Sequence, residues 1–221
     1  MLDELIGRLL PAVLFGAASG GVLWLLGLIR KRAALAAAIL LALCFLANRW
    51  SATLPATLQL SAVAVGGWLL RAAHRLRVRD VMPLLAPATG IVIVAWLLDE
   101  TSVYWQGAFV GALATGAAAW IGREATVRFD GVPIRVLTLM PTETGGINGP
   151  GAVCAAAASI VVAATAIVWN ILGPGEPALV VAASAIGLGL GDSLRPARAG
   201  NVLIASTLGA VATAALLAGL P

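Results

Sequence analysis

The sequence predicts an all-α, polytopic integral membrane bundle of about eight helices (roughly six to eight crossings, some short or re-entrant). Three observations carry that expectation. Apolar residues make up 61% of the 221 residues and charged residues 11%, where a soluble domain averages roughly 45–50% and about 25%. The mean hydropathy is +1.00. Finally, twelve of the fourteen Lys and Arg residues lie in alternate connections between apolar stretches. These are Arg30-Lys31-Arg32; Arg71, Arg75, Arg77 and Arg79; Arg123, Arg128 and Arg135; and Arg195 with Arg198. Short cytoplasmic loops carry an excess of Lys and Arg, so the alternation predicts both the spans and their orientation.

Each span is bounded by polar or turn-forming residues. Residues 9–29 follow Asp3 and Glu4 and end at the first basic cluster; with no basic segment ahead of it, this run is not expected to be a cleaved signal. Residues 33–47 lie between that cluster and Arg49, and residues 53–70 end at Arg71. Residues 82–98 run from Arg79-Asp80 to Asp99-Glu100, and residues 106–121 stop before Arg123. Residues 149–172 emerge from a Gly-rich segment and end at Gly173-Pro174-Gly175-Glu176-Pro177. Residues 177–190 end at Gly191-Asp192, and residues 201–220 complete the series. The second, fifth and seventh stretches fall short of the about 20 apolar residues of a full crossing, so each is expected to be tilted, half-buried or re-entrant. With eight crossings both termini are non-cytoplasmic. The chain reads as one membrane domain, 1–221, without a soluble module.

Composition also excludes some functions. The net charge of +4 needs no nucleic acid, because membrane orientation explains the Arg clusters beside the spans. Cys44 and Cys154 lie in apolar stretches and read as small hydrophobes rather than a disulfide or metal pair. The only histidine, His74, sits among arginines as an interfacial residue. Trp50, Trp68, Trp96, Trp105, Trp120 and Trp169 fall near span ends, as an interfacial belt requires. No Ser-His-Asp or Cys-His arrangement is available.

Three constellations are candidates for chemistry. The longest polar connection, 122–148, is expected on the cytoplasmic side and leads into Thr142-Glu143-Thr144-Gly145-Gly146-Ile147-Asn148-Gly149-Pro150-Gly151. Glycines let backbone N–H groups approach an anion, and the following helix N-terminus favours phosphate. The bland alternative is a turn that starts a helix. Asp192 stands at the end of a helix, where its charge opposes the dipole, so an Arg (Arg195 or Arg198) or a divalent cation should compensate. Arg79, beside Asp80, suits bidentate phosphate recognition.

Four stretches also resemble one family. Arg79-Asp80-Val81-Met82-Pro83-Leu84-Leu85-Ala86, Ala108-Phe109-Val110-Gly111-Ala112-Leu113-Ala114 followed by Trp120, Thr144-Gly145-Gly146-Ile147 with Gly151, and Asp192-Ser193-Leu194 occur in the order seen in the membrane family containing plant phytyl-phosphate kinase and animal transmembrane protein 19. The chain departs from the family pattern at Ala117-Ala118-Ala119, where an acid and a hydroxyl residue precede the tryptophan; the nearest acid here is Glu124. The resemblance implies a prenyl-phosphate kinase that uses a nucleoside triphosphate (CTP or ATP) with Mg²⁺. On that reading Arg79 and Arg135 are expected as phosphate clamps, Thr144, Gly145, Gly146 and Asn148 as nucleotide contacts (Asn148 in place of the family's Asn, which the signature here lacks), and Asp192 with Glu124 as metal ligands. The other readings are a small-molecule or lipid transporter built on Gly-interrupted helices, and a catalytically inactive relative. The expected partners are the bilayer and a prenyl-phosphate substrate.

Overall fold

A computed structural model describes residues 2–71, 75–98, 103–135, 141, 146–173, 175–194 and 198–219, with side chains for all of these except residues 2–6, 48–52, 67, 68, 71, 103, 192–194 and 198–201. The described residues form seven α-helices: α1 (Leu2–Leu25), α2 (Lys31–Arg71), α3 (Val78–Leu97), α4 (Val103–Arg128), α5 (Gly149–Val168), α6 (Glu176–Leu194) and α7 (Arg198–Ala218). No strand is present among them, only isolated bridges. Three stretches, Gly7–Leu25, Val78–Leu97 and Gly149–Val168, are long and apolar enough to cross a membrane, and Thr53–Gly66, Glu176–Gly191 and Val202–Ala218 are shorter apolar helices.

Seven helices replace the eight stretches read from the sequence because residues 33–47 and 53–70 fall within one helical run, α2. Straight, those 41 residues would reach about 60 Å. Yet the two ends of the run meet: Arg30 N donates to Leu76 O (2.9 Å) and Leu76 N donates to Leu28 O (3.0 Å). The run therefore folds back on itself, near Pro55, whose missing N–H removes one rung of the helix. Contacts along it agree. Cys44 hydrogen-bonds Thr89 of α3 (3.2 Å), thirteen residues into α2 from Lys31 and eleven into α3 from Val78, so the first arm and α3 leave the shared end together. On the returning arm, Gln59 reaches α4 at Leu113 (2.6 Å) and Gly66 lies against Ile121. The two arms are antiparallel, so eight segments alternate in direction and the four basic connections all join helix ends at one end of the bundle.

The segment expected to be short and half-buried is instead the axis. α4 has 26 residues, and every residue from 107 to 120 is buried, Trp120 included. Trp120 is thus a core residue rather than a member of an interfacial belt. Small residues explain how one helix takes neighbours on all sides. Gly111 and Gly107 face Thr213 and Leu217 of α7, Gly122 faces Gly151 and Ala155 of α5, and Gly116 faces α2, α3 and α7. A helix apolar all round is one enclosed all round. On the opposite side of the molecule α1 packs on the first arm of α2 through Gly16 and Gly20, which lie against the backbone of Ala38 and Ala34. α1 ends where Gly27 (φ +73°) turns left-handed and Leu28 N closes onto Leu23 O (3.0 Å).

The outward faces are apolar. Leu10, Leu14, Leu25, Val153, Ile160, Val161, Val168 and Val211, on α1, α5 and α7, are all exposed, as suits a lipid environment. Both cysteines are free thiols, Cys44 buried and Cys154 partly so.

Candidate functional site

The basic end is organised around Asn148, which is 2% exposed. It is the N-cap of α5: its Oδ1 accepts from Gly151 N (2.8 Å), and Pro150 occupies the first turn, where its missing N–H costs nothing. Its Nδ2 donates to Phe129 O (2.7 Å) and Thr126 O (3.4 Å), and its backbone N donates to Thr126 Oγ1 (3.2 Å). Gly131 (φ +154°) packs on the same side chain. Ile134 and Ile147 exchange backbone hydrogen bonds (3.2 and 2.9 Å). Asn148 thus locks the end of α4 to the start of α5. Both amide hydrogens and one acceptor direction are engaged by protein groups, so its side chain ties residues 126–129 to the first turn of α5.

The remaining predicted residues divide by what is described. Thr144 and Gly145 lie outside the described residues, and so do His74, Arg195 and the side chain of Asp192. Gly146 is buried beside Asn148. Arg135 is exposed, next to the Ile134–Ile147 bridge. Arg79 is exposed at the start of α3, its Nε 4.0 Å from Asp80 Oδ1. Asp80 also accepts from Arg77 N (2.8 Å), which caps α3. Glu124 and Arg123 are half-buried on α4, and neither side chain is free.

Helix registers show what these residues share. Gly111 faces Thr213 and Gly209 faces Thr115, so α4 and α7 run antiparallel with Ala119 level with Ala205. Gly191 of α6 packs on Ala205, which puts the backbone of Asp192 near the level of residue 120. Leu84 O faces Gly116, so Arg79 and Asp80 stand near residues 120 and 121. Asn148 joins at Thr126. Arg79, Glu124, Asp192 and Asn148 therefore occupy one layer about 10 Å thick at the basic end. The layer brings Glu124 and the backbone of Asp192 near one level; among the described residues no group of three or more His, Cys, Asp or Glu side chains gathers as a metal site.

A second polar layer, which the sequence reading missed, lies inside the bundle. Gln59 Nε2 donates to Leu113 O (2.6 Å) and Ser206 Oγ donates to Ala112 O (2.7 Å), so α2 and α7 both bond the backbone of α4. Thr115 Oγ1 lies 3.2 Å from Ser184 Oγ of α6, which donates to Val180 O (2.8 Å). Gln59, Thr115, Ser184, Ser206 and Ser159 are all buried. Within it, Gln59 Oε1 and Ser159 Oγ are buried with no hydrogen-bond partner among the described residues. The one available signal was Gln59, an amide in an otherwise apolar run.

Comparison of the chain with protein-family models, with curated proteins and with solved structures finds no match in any of the three.

Proposed function

We propose that the chain is a multi-pass membrane protein that transfers a phosphoryl group to a lipid phosphate, in the manner of a prenyl-phosphate kinase, at its basic end. The observation that carries this reading is the single layer shared by Arg79, Glu124, the backbone of Asp192 and Asn148, where the Gly-rich segment enters α5. The apolar outer surface supports insertion in a bilayer, and the basic connections orient that end toward the cytoplasm, where nucleotides are. A prenyl tail lies in the membrane and its phosphate reaches the layer from the side.

In the proposed reaction an oxygen of the prenyl monophosphate bonds to the γ-phosphorus of a nucleoside triphosphate, CTP or ATP. The bond from that phosphorus to the β–γ bridging oxygen breaks, leaving a prenyl diphosphate and a nucleoside diphosphate. Such a transfer is governed by positioning and charge stabilisation. Arg79 and Arg135 bind phosphate oxygens, and the Thr144-Gly145-Gly146 backbone cradles the triphosphate. Asn148 acts by fixing the end of that segment at the start of α5. Mg²⁺, when bound, supplies neutralisation of the triphosphate charge. Glu124 and Asp192 are the residues that would hold it, and a pair of carboxylates completed by phosphate oxygens is the usual donor set for this ion. The family's acidic position before the tryptophan corresponds here to Ala118, which is enclosed in the core, so any metal site in this chain is built nearer the basic end.

The test is thermal stabilisation of detergent-purified protein by CTP, ATP, GTP and UTP, each with and without Mg²⁺. A ligand that binds only the native state at 100 times its Kd adds about 2.7 kcal/mol. The expected result is a Mg²⁺-dependent shift from one nucleotide that Asp192→Asn abolishes, with conversion of a prenyl monophosphate to its diphosphate. Folded protein that no nucleotide stabilises overturns the reading. The interior polar layer favours a second reading, a transporter. Gradient-driven uptake into proteoliposomes that Gln59→Leu abolishes is its signature.

A further inference from the structure

Gly116 sits at the centre of α4 with no side chain, and what surrounds the vacant position is polar. The three atoms nearest to where a Cβ would stand are Gln59 Nε2 (3.5 Å), Ser206 Oγ (3.5 Å) and Leu84 O (3.6 Å), contributed by α2, α7 and α3. A methyl group there would be in ordinary contact, so the gap is real and about one methyl wide. Gln59 is 2% exposed and Ser206 fully buried. The orientation of the Gln59 amide is fixed by its bond from Nε2 to Leu113 O (2.6 Å), since an oxygen would not face a carbonyl at that distance. That leaves the second Nε2 hydrogen directed elsewhere, and Oε1 buried without a partner. Ser206 spends its hydrogen on Ala112 O (2.7 Å) and keeps its lone pairs. Leu84 O has a second lone pair beyond the helix bond.

We propose that this gap holds one ordered water molecule, which joins α2, α3 and α7 across the bare backbone of α4 at Gly116. A water oxygen stands farther from the Gly116 Cα than a methyl carbon would, and so closer to the groups facing the gap. The donors and acceptors are complementary: the second Gln59 Nε2–H donates to the water, and the water's two hydrogens go to Ser206 Oγ and Leu84 O. Buried waters make about three such bonds to groups left unsatisfied by protein. Size selects the ligand, because a gap of one methyl admits water and excludes a substrate. A buried amide N–H left without an acceptor is costly enough that hydration here is the favourable state. The site is independent of the phosphoryl-transfer reading, since it lies in the interior layer and not at the basic end.

The chain contains two glutamines, Gln59 and Gln106, so labelling glutamine side chains with ¹⁵N gives one buried and one exposed reporter in reconstituted protein. Water-edited solid-state NMR then reads magnetisation transfer from water to each amide. The expected result is rapid build-up at Gln106 and also at Gln59, with the Gln59 build-up lost in Gly116→Ala and the Gln106 build-up kept. Build-up at Gln59 no faster than at the backbone amides of α4, or build-up unchanged in Gly116→Ala, overturns the proposal. Thermal stability supplies a second reading with opposite signs. Alanine is the better helix former, so Gly116→Ala raises the Tm if the gap is dry. If the methyl displaces a bound water the Tm falls, and Gly116→Ser, which brings its own hydroxyl, falls less.

Discussion

α4 meets α7 in the middle of the bundle and α5 at the basic end, and glycine opens both contacts, but they are held in different ways. In the middle, Gly111 and Gly209 let the threonines of the opposite helix, Thr213 and Thr115, press against bare backbone. The hydroxyl of Thr213 turns back to its own helix, donating to Gly209 O (2.8 Å). At the end, Gly122 and Gly151 bring α4 and α5 together, and a network from Asn148 and Thr126 then ties the loop to both. At Gly111 and Gly209 the centre is specified by shape, with no room for a side chain, and the Ser206 Oγ–Ala112 O hydrogen bond adds to that fit. The end is specified by hydrogen bonds, each replaceable by another polar group or by a ligand. A protein that needs a rigid axis and an adaptable site separates them in this way.

The largest predicted effect is at the centre. A Cβ on Gly209 would fall inside the contact distance of the Thr115 side chain, and overpacking of this kind costs about 1–3 kcal/mol. Gly209→Ala should therefore lower the Tm of the detergent-purified protein by several degrees, and Gly209→Val should abolish the folded, monodisperse form. The matching control is Gly21→Ala on α1. Nothing lies within 4 Å of that position, and the change should be neutral or stabilising by up to about 1 kcal/mol. Equal tolerance at the two glycines would break the distinction between a close-packed axis and a peripheral helix.

At the basic end the effect is smaller and chemical. Asn148→Ala removes the cap of α5, worth about 0.5–2 kcal/mol, and strips the donor from Phe129 O. A total near 2 kcal/mol is expected, together with faster proteolysis of the 129–148 connection. Asn148→Asp keeps the acceptor for Gly151 N but loses both donors, so its Tm should fall between those of the wild type and the alanine variant. An alanine variant with an intact Tm and an equally protected loop would remove the hydrogen-bonded lock from the comparison.

The sequence shows most of the fold because hydropathy and charge are local quantities. The apolar helices, the alternation of the basic connections and the reversal within α2 were all legible, the last from Arg49 and the two separate apolar runs. The central place of α4 was not. Its apolar stretch is short, bounded by Gln106 and Arg123, and a helix that is apolar on every side carries no periodicity to show which face is buried. The interior layer escaped for a related reason. Thr115, Ser184 and Ser206 look neutral in an apolar run, and only packing reveals that they converge on one helix. Asn148 was legible in another sense: Asn-Gly-Pro-Gly ahead of an apolar run is an N-cap followed by proline in the first turn, and the glycines around it drew attention to phosphate instead.

The smallest effect belongs to Asp80, and it asks what holds the edge of the basic layer. Two interactions compete there. Asp80 Oδ2 accepts from Arg77 N at 2.8 Å, whereas its ion pair with Arg79 is at 4.0 Å with the Arg79 side chain 62% exposed. Exposed pairs of that length contribute roughly 0–1 kcal/mol and are screened by salt. A carboxylate that caps the first turn of a helix gains both the hydrogen bond and the dipole, together about 1 kcal/mol. Asp80→Ala should therefore lower stability by about 1 kcal/mol, and Asp80→Asn, which keeps an acceptor, by less. The two contributions separate by ionic strength. If the cap dominates, the difference between wild type and Asp80→Ala survives in high salt, and Arg79→Ala leaves the Tm unchanged. A difference that vanishes in high salt would mean that Arg79 is held by Asp80 as an ion pair. The arginine would then be fixed rather than available to a phosphate, and the adaptable character of this end would be lost at the residue where phosphate recognition most depends on it.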